Sequence, residues 1–228
     1  MRHRMTCLLA ILLLINTVAT QTGSITTPGE QRPQVRGELP EGWNAPGPGA
    51  GAVASAYEVG VDRTVKHGGE ASAYIRAVAV PAEGFMALVQ GFRGEQYRGK
   101  RLRLSGYIRT REVADRAGLW VQILGGGGSV GFDNMQNRPV KGTSDWTKYE
   151  IVLDVPMSTL AITFGFLLRG SGQAWVDDFS FEVVGQDVSV TNIAEVNRTN
   201  PANVDAQTMA SADVPTQPTN LDFERLNR

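Results

Sequence analysis

The chain has 228 residues, 42% of them hydrophobic, which is long enough for one domain with appendages and a substantial core. Its 22 Lys and Arg nearly balance 23 Asp and Glu, for a formal net charge of -1, so it lacks the basic excess that marks a nucleic-acid binder. The 26 glycines follow no period, which excludes collagen.

The chain opens with a basic stretch of Arg2, His3 and Arg4. From Thr6 to Val18 it is apolar except at Thr6, Asn16 and Thr17, a run shorter than the ~20 residues a bilayer span needs. Thr17 and Ala19 have the small-residue spacing of a signal peptidase site, so residues 1–19 read as a signal peptide. A membrane anchor is the rival reading, and the length of the run counts against it. Cys7 precedes most of the apolar run and is badly placed for lipid attachment. Cleavage would remove it and leave a mature chain with no cysteine, held by its core without disulfides. The expected destination is extracytoplasmic, secreted or periplasmic, with no transmembrane segment in the mature chain. Residues 20–41, polar and punctuated by Pro28, Pro33 and Pro40, read as a flexible leader.

Between Trp43 and Val184 the pattern is that of strands. Arg101-Leu102-Arg103-Leu104-Ser105-Gly106-Tyr107-Ile108 alternates polar and apolar residues, the period of a half-buried strand. Tyr149, Ile151, Leu153 and Val155 share one face before Pro156. Ile162, Phe164, Phe166 and Leu168 form another such set, and Phe179, Phe181 and Val183 a third. Less regular runs cover 52–61, 71–78, 84–92 and 119–124, with Gly, Asp, Asn, Pro and Ser clusters between them. No stretch holds a helical period. Eight or nine short strands in about 140 residues predict an all-β fold, an antiparallel two-sheet jelly-roll sandwich. Residues 185–219, rich in Asn, Thr, Ala, Asp and Pro, read as a disordered linker. Asn197-Arg198-Thr199 within it matches a glycosylation acceptor.

Few residues point to catalysis. Gly127-Gly128-Ser129-Val130-Gly131 spells a nucleophile elbow, but no helix follows, and Gly125 and Gly126 extend it into a hairpin-like glycine run. No Lys-Ser/Thr follows to make it a phosphate loop. His67 is the one histidine beyond the signal peptide, too few for a histidine metal site. Asp133, Asp145, Asp154, Asp177 and Asp178 could in principle supply the two carboxylates of a glycosidase. As strand neighbours, however, Asp177 and Asp178 should point to opposite faces.

Aromatic side chains are the better ligand candidates. If Leu119, Val121 and Ile123 face the core, Trp120 and Gln122 face away from it, a ring and an amide side by side. The same phase turns Tyr107 and Arg109 outward beside Ile108, with Gln90 and Arg169 as weaker additions. Trp43, Trp146 and Trp175 read equally as packing.

These residues bring out a resemblance. Residues 42–184 resemble galactose-binding-like jelly rolls, especially carbohydrate-binding modules of families 4, 9 and 22. The resemblance rests on Gly42-Trp43, Gly69-Glu70-Ala71-Ser72-Ala73-Tyr74-Ile75, Tyr97 through Ile108, Asp145-Trp146-Thr147-Lys148-Tyr149 and Trp175-Val176-Asp177-Asp178-Phe179-Ser180-Phe181. Phe132-Asp133-Asn134-Met135, with Arg138, Gly142 and Trp146, looks closer to members found beside bacterial regulators, esterases and peptidases. Such modules begin with an Asn-x-x-Phe-Glu strand, absent before Gly42, while Asn220-Leu221-Asp222-Phe223-Glu224 stands near the C-terminus. Residues 220–228 therefore begin a truncated second module, or dock back as the missing edge strand. A linker of about 35 residues reaches far enough at ~3.3 Å per residue. The resemblance also implies a structural calcium between Glu224 and Asp177, completed by carbonyls near 69–72, oxygen ligands being what calcium prefers. Without Glu224 the site would lack a ligand.

The resulting expectation is a secreted, non-catalytic module that binds carbohydrate or another surface ligand through Trp120, Gln122, Tyr107 and Arg109. A structural or protein-interaction domain, beside a partner catalytic domain or protein, is the alternative, and a glycoside hydrolase the third.

Overall fold

The computed structural model describes residues 37–45, 56–79, 81–82, 84–191 and 213–227. The expected signal peptide, most of the leader and the Asn197-Arg198-Thr199 triplet lie outside them. Eight strands follow in order: β1 (Tyr57–Asp62), β2 (Ser72–Ala77), β3 (Phe85–Arg93), β4 (Arg101–Gly125), β5 (Gly128–Asp133), β6 (Val140–Asp154), β7 (Thr159–Arg169) and β8 (Gln173–Val184). All pair antiparallel, in the order β1-β2-β8-β4-β7-β3, with β5 and β6 added on β4. The architecture is the expected all-β sandwich, with one refinement.

The runs 101–108 and 119–124 are two halves of one 25-residue strand. The first half of β4 pairs with β6 and β8, the second with β5 and β7. Between Ile108 and Ala117 its pairing with β6 slips repeatedly, and Glu112 takes a positive φ of 54°. That irregularity turns the strand from one half of the sandwich into the other and shifts its phase. Tyr107, Arg109 and Arg111 point outward before it, and Trp120 and Gln122 after it.

The sheet curls until its halves face each other. Phe179 and Phe181 of β8 meet Phe164 of β7 edge-on, at ring distances of 5.7 and 4.8 Å, and Phe181 meets Phe92 of β3 at 5.3 Å. Leu104, Ile108, Leu119, Val121, Ile123, Ile162 and Phe166 fill the same interior. The glycine run makes the β4–β5 hairpin: Gly125 pairs with Gly128, whose φ of 110° suits only glycine. Ser129 thus sits on a strand after a turn, with no helix behind it.

Residues 213–227 lie on this same domain. Phe223 is fully buried against Trp43 and Phe179, at ring distances of 5.0 and 5.8 Å. Trp43 Nε1–H donates to the Asn220 carbonyl (3.0 Å). The Asn220 amide donates to the carbonyls of Glu41 and Arg225 and accepts the Arg225 N–H. The Gln90 side chain holds Thr219 from both sides, accepting its N–H (2.8 Å) and donating to its carbonyl (2.9 Å). The segment forms a turn and a single bridge, Pro40 to Leu226, rather than a regular edge strand. Asn220 and Phe223, at φ of 49° and 59°, break the extended backbone an edge strand needs. Parts of the expected leader and linker are held as well. Glu41 N–H donates to the Arg225 carbonyl, Thr191 N–H to the Val152 carbonyl, and Arg93 N–H to the Pro215 carbonyl.

Candidate functional site

The outer face of β5-β4-β7-β3 carries an apolar cluster separate from the main core. Ala87, Val89, Trp120 and Leu167 are buried in it, flanked by partly exposed Phe85 and Phe132. Trp120 turns away from the core as its phase requires, yet only 3% of it is exposed, and 2% of Gln122. The expected open ring and amide are thus enclosed. Across the β4–β7 ladder Trp120 faces Gly165, Gln122 faces Thr163 and Arg116 faces Arg169. Gly165 leaves room for the indole: a Cβ there would lie 3.1 Å from Trp120 Nε1.

Among the described residues six buried side-chain polar atoms have no hydrogen-bond partner, and four stand on this face: Arg116 Nη1, Trp120 Nε1, Gln122 Oε1 and Thr163 Oγ1. Buried polar groups are normally paired, and each exception forfeits about 1–3 kcal/mol. Three on β4 and one beside them on β7 form a polar track across an apolar surface. It runs about 20 Å from Arg116 to Gln122, at ~3.4 Å per residue. Burial first, and then the neighbouring Arg169, pushes the Arg116 guanidinium below its ordinary pKa.

Tyr107 and Arg109 lie on the other half of the sandwich, facing Asp177 and Trp175 on β8. The structure therefore splits the four expected contacts into two pairs, because β4 changes phase between them. Arg109 lines a cleft of about 350 Å³ with Val65, Arg111, Ser144, Asp145 and Trp175. Arg111 sits 5.7 Å over the Trp175 ring and donates to Gln173 Oε1, and Trp175 Nε1–H donates to Asp62 (2.9 Å). Tyr107 is covered by His67, stacked at 3.6 Å, whose Nδ1 is 2.6 Å from Asp178 Oδ2. Nothing in the Lys66-His67-Gly68-Gly69-Glu70 turn signalled that stack, since the partners lie on β4 and β8.

Asp177 and Asp178 do not point apart. Both reach His67, Asp177 Oδ2 accepting its backbone N–H (2.9 Å) and Asp178 facing its ring. Asp178 has a φ of 49°, and the β4–β8 register slips beside it, so a bulge cancels strict alternation. Buried Asp177 also accepts the N–H groups of Gly68 (3.1 Å) and Asp178 (2.8 Å). Its pKa is raised to about 6, because burial outweighs those bonds. Glu224 Oε1 accepts the Glu70 N–H (2.6 Å). The two carboxylates thus clamp one loop, Asp177 from β8 and Glu224 from the C-terminal segment, with amide hydrogens pointing at the oxygens a cation would need. Among the described residues no three His, Cys, Asp or Glu side chains gather to hold a metal ion. The expected calcium site has only two carboxylates, Asp177 and Glu224, and both stand against the 67–70 loop with an oxygen given to its amide hydrogens. Thermal melts in millimolar calcium and in chelator test the ion: a rise of several degrees with calcium, lost in Glu224→Gln, would place it there, and coincident melts would remove it.

No family model matches the chain. It is 44% identical over 139 residues to a Bacillus subtilis protein named an uncharacterized HTH-type transcriptional regulator, YbfP. That match covers 60% of this chain and 47% of the relative, so the chain spans about half of the relative's length. Among solved structures, it is similar to the C-terminal family 22 carbohydrate-binding module of Clostridium thermocellum Xyn10B. The identity is 14% and the TM-score 0.44, over 65% of this chain and 89% of that one. A cyclase from Fischerella sp. TAU gives 15% and 0.47, over 63% and 85%. The enzymatically active domain of bacteriophage CBA120 tailspike protein 4 gives 12% and 0.48, over 63% and 20%. Among the described residues no helix is long and apolar enough to cross a membrane.

Proposed function

We propose that this protein is a non-catalytic carbohydrate-binding module, exported through residues 1–19, whose site is the outer face of β5-β4-β7-β3. The observation that carries the reading is the set of four unpartnered polar atoms on β4 and β7 beside an apolar cluster. These three side chains, Trp120, Gln122 and Thr163, are enclosed, so a glycan reaches them once the groups covering this face move aside. Sugar hydroxyls, which both donate and accept, then satisfy the Trp120 N–H, the Gln122 carbonyl oxygen and the Thr163 hydroxyl. Phe85 and Phe132, partly exposed at the two edges, are placed to cover the C–H faces of sugar rings. The enclosed Trp120 contributes its N–H. The acidic residues available for hydrolysis have structural partners. Asp133 is buried in an ion pair with Arg138 (2.8 Å), Asp177 holds the 67–68 backbone, and Asp154 pairs with Arg101 (2.7 Å).

A glycan array with the exported chain tests this. Trp120→Ala should weaken the strongest binding about 30-fold or more, the loss of one hot-spot side chain. Thr163→Val, of nearly equal volume, should weaken it about tenfold for one lost hydrogen bond while the protein still melts normally. Unchanged binding in both variants would remove this face from the reading, and a folded protein that binds no glycan would remove the reading itself.

The likeness to part of a protein named a transcriptional regulator favours a second reading, in which the fold is an interaction domain of a larger protein. Pulldown of a protein partner without glycan binding would decide for it.

A further inference from the structure

Resting on that reading, we infer that the glycan this face takes is acidic, with a carboxylate received at the Arg116–Arg169 end of the track. Arg116 and Arg169 are direct partners across β4 and β7, two positive charges where opposite neighbours of like sign repel. Phe85 on β3 is the next residue across, facing Arg169, so the end of the track holds two guanidiniums beside one aromatic ring. The nearby carboxylate, Asp115, is bonded to Arg169 (2.9 Å), and Arg116 Nη1 is left buried without a partner.

Arg116 is only part-buried, so what an anion there relieves is the repulsion between the two facing guanidiniums, which Asp115 offsets only in part. The guanidinium is also the group built for a carboxylate, presenting two parallel N–H bonds in a plane. Beyond Arg116 the same strand face offers Trp120 N–H and, across the ladder, the Thr163 hydroxyl with Gln122 Oε1. Along β4 Trp120 stands about 14 Å from Arg116 and Gln122 about 7 Å further on, a span of several sugar units. The order is charge, donor, then mixed donor and acceptor. A uronate followed by hydroxylated sugars presents the complementary order. A neutral glycan would satisfy the far end and leave Arg116 unpaired.

The test measures binding of the full chain to polygalacturonate and alginate oligosaccharides against neutral xylan and glucan oligosaccharides of equal length, at low and high salt. The acidic oligosaccharides should bind at least about tenfold tighter at low salt, with the advantage shrinking as salt rises, because a charge-assisted contact is screened. Arg116→Gln should abolish the preference, and Arg116→Lys should keep part of it. Melting curves of both variants would show that the fold is intact. Neutral glycans bound as tightly as acidic ones overturn the acidic assignment and leave the carbohydrate reading standing. A folded protein that binds neither class overturns both. An acidic preference that survives Arg116→Gln overturns this end of the track as its source.

Discussion

Phe223→Ala should cost this domain about 3–5 kcal/mol, seen as a lower midpoint in urea unfolding, the usual range for emptying a buried aromatic site. Phe223 has no exposed surface and completes a ring cluster with Trp43 and Phe179 that reaches Phe164. No other side chain of 213–227 enters the core to the same depth. Its neighbours fill hydrogen bonds rather than volume: Asn220 ties Glu41 to Arg225, and Gln90 holds Thr219. The loss would be a large part of the 5–15 kcal/mol that a domain usually has. A midpoint equal to that of the unaltered protein would mean that the segment lies on the domain without sealing it.

Gly165→Ala should be the most damaging small substitution on the candidate face. A methyl group there would collide with the Leu88 carbonyl oxygen of β3 and crowd Trp120 Nε1 from the other side. Overpacking costs about 1–3 kcal/mol, and the upper end applies where the obstacle is backbone. Because β3 and Trp120 must both move, stability and glycan binding should fall together. Gly126→Ala and Gly127→Ala are the controls, since a Cβ at either position meets nothing within 4 Å. Equal melts for Gly165→Ala and these controls would overturn the close approach of β3 to β7.

Much of the sandwich was legible because alternation is a local signal. Ile162, Phe164, Phe166 and Leu168 had to share a face, and they do so in β7. What alternation cannot carry is phase across an irregularity. Tyr107 and Trp120 each point outward as read, but the slips between Ile108 and Ala117 put them on different halves of the sandwich. The bulge at Asp178 had the same effect on a smaller scale. β5 was hidden because Gly128 and Gly131 weaken the strand pattern of a segment that pairing with β4 holds extended. The enclosure of Trp120 and Gln122 was beyond reach too, since what surrounds a side chain depends on residues distant in the chain. Arg116 was missed for a related reason. Its partner across the ladder is Arg169, 53 positions later, and only the pairing reveals two like charges side by side.

The embrace of Trp43 and Phe223 also constrains how the protein is made. Their contact joins positions 180 apart in the chain, and closing so long a loop must precede any reward from the contact. A ribosome that has released β1 through β8 has produced a sandwich with one end of its interior still open to water. Final sealing waits for Phe223 to emerge, so a chain whose Phe223 is still inside the ribosome should offer an aromatic-lined opening to chaperones, and the released chain should not.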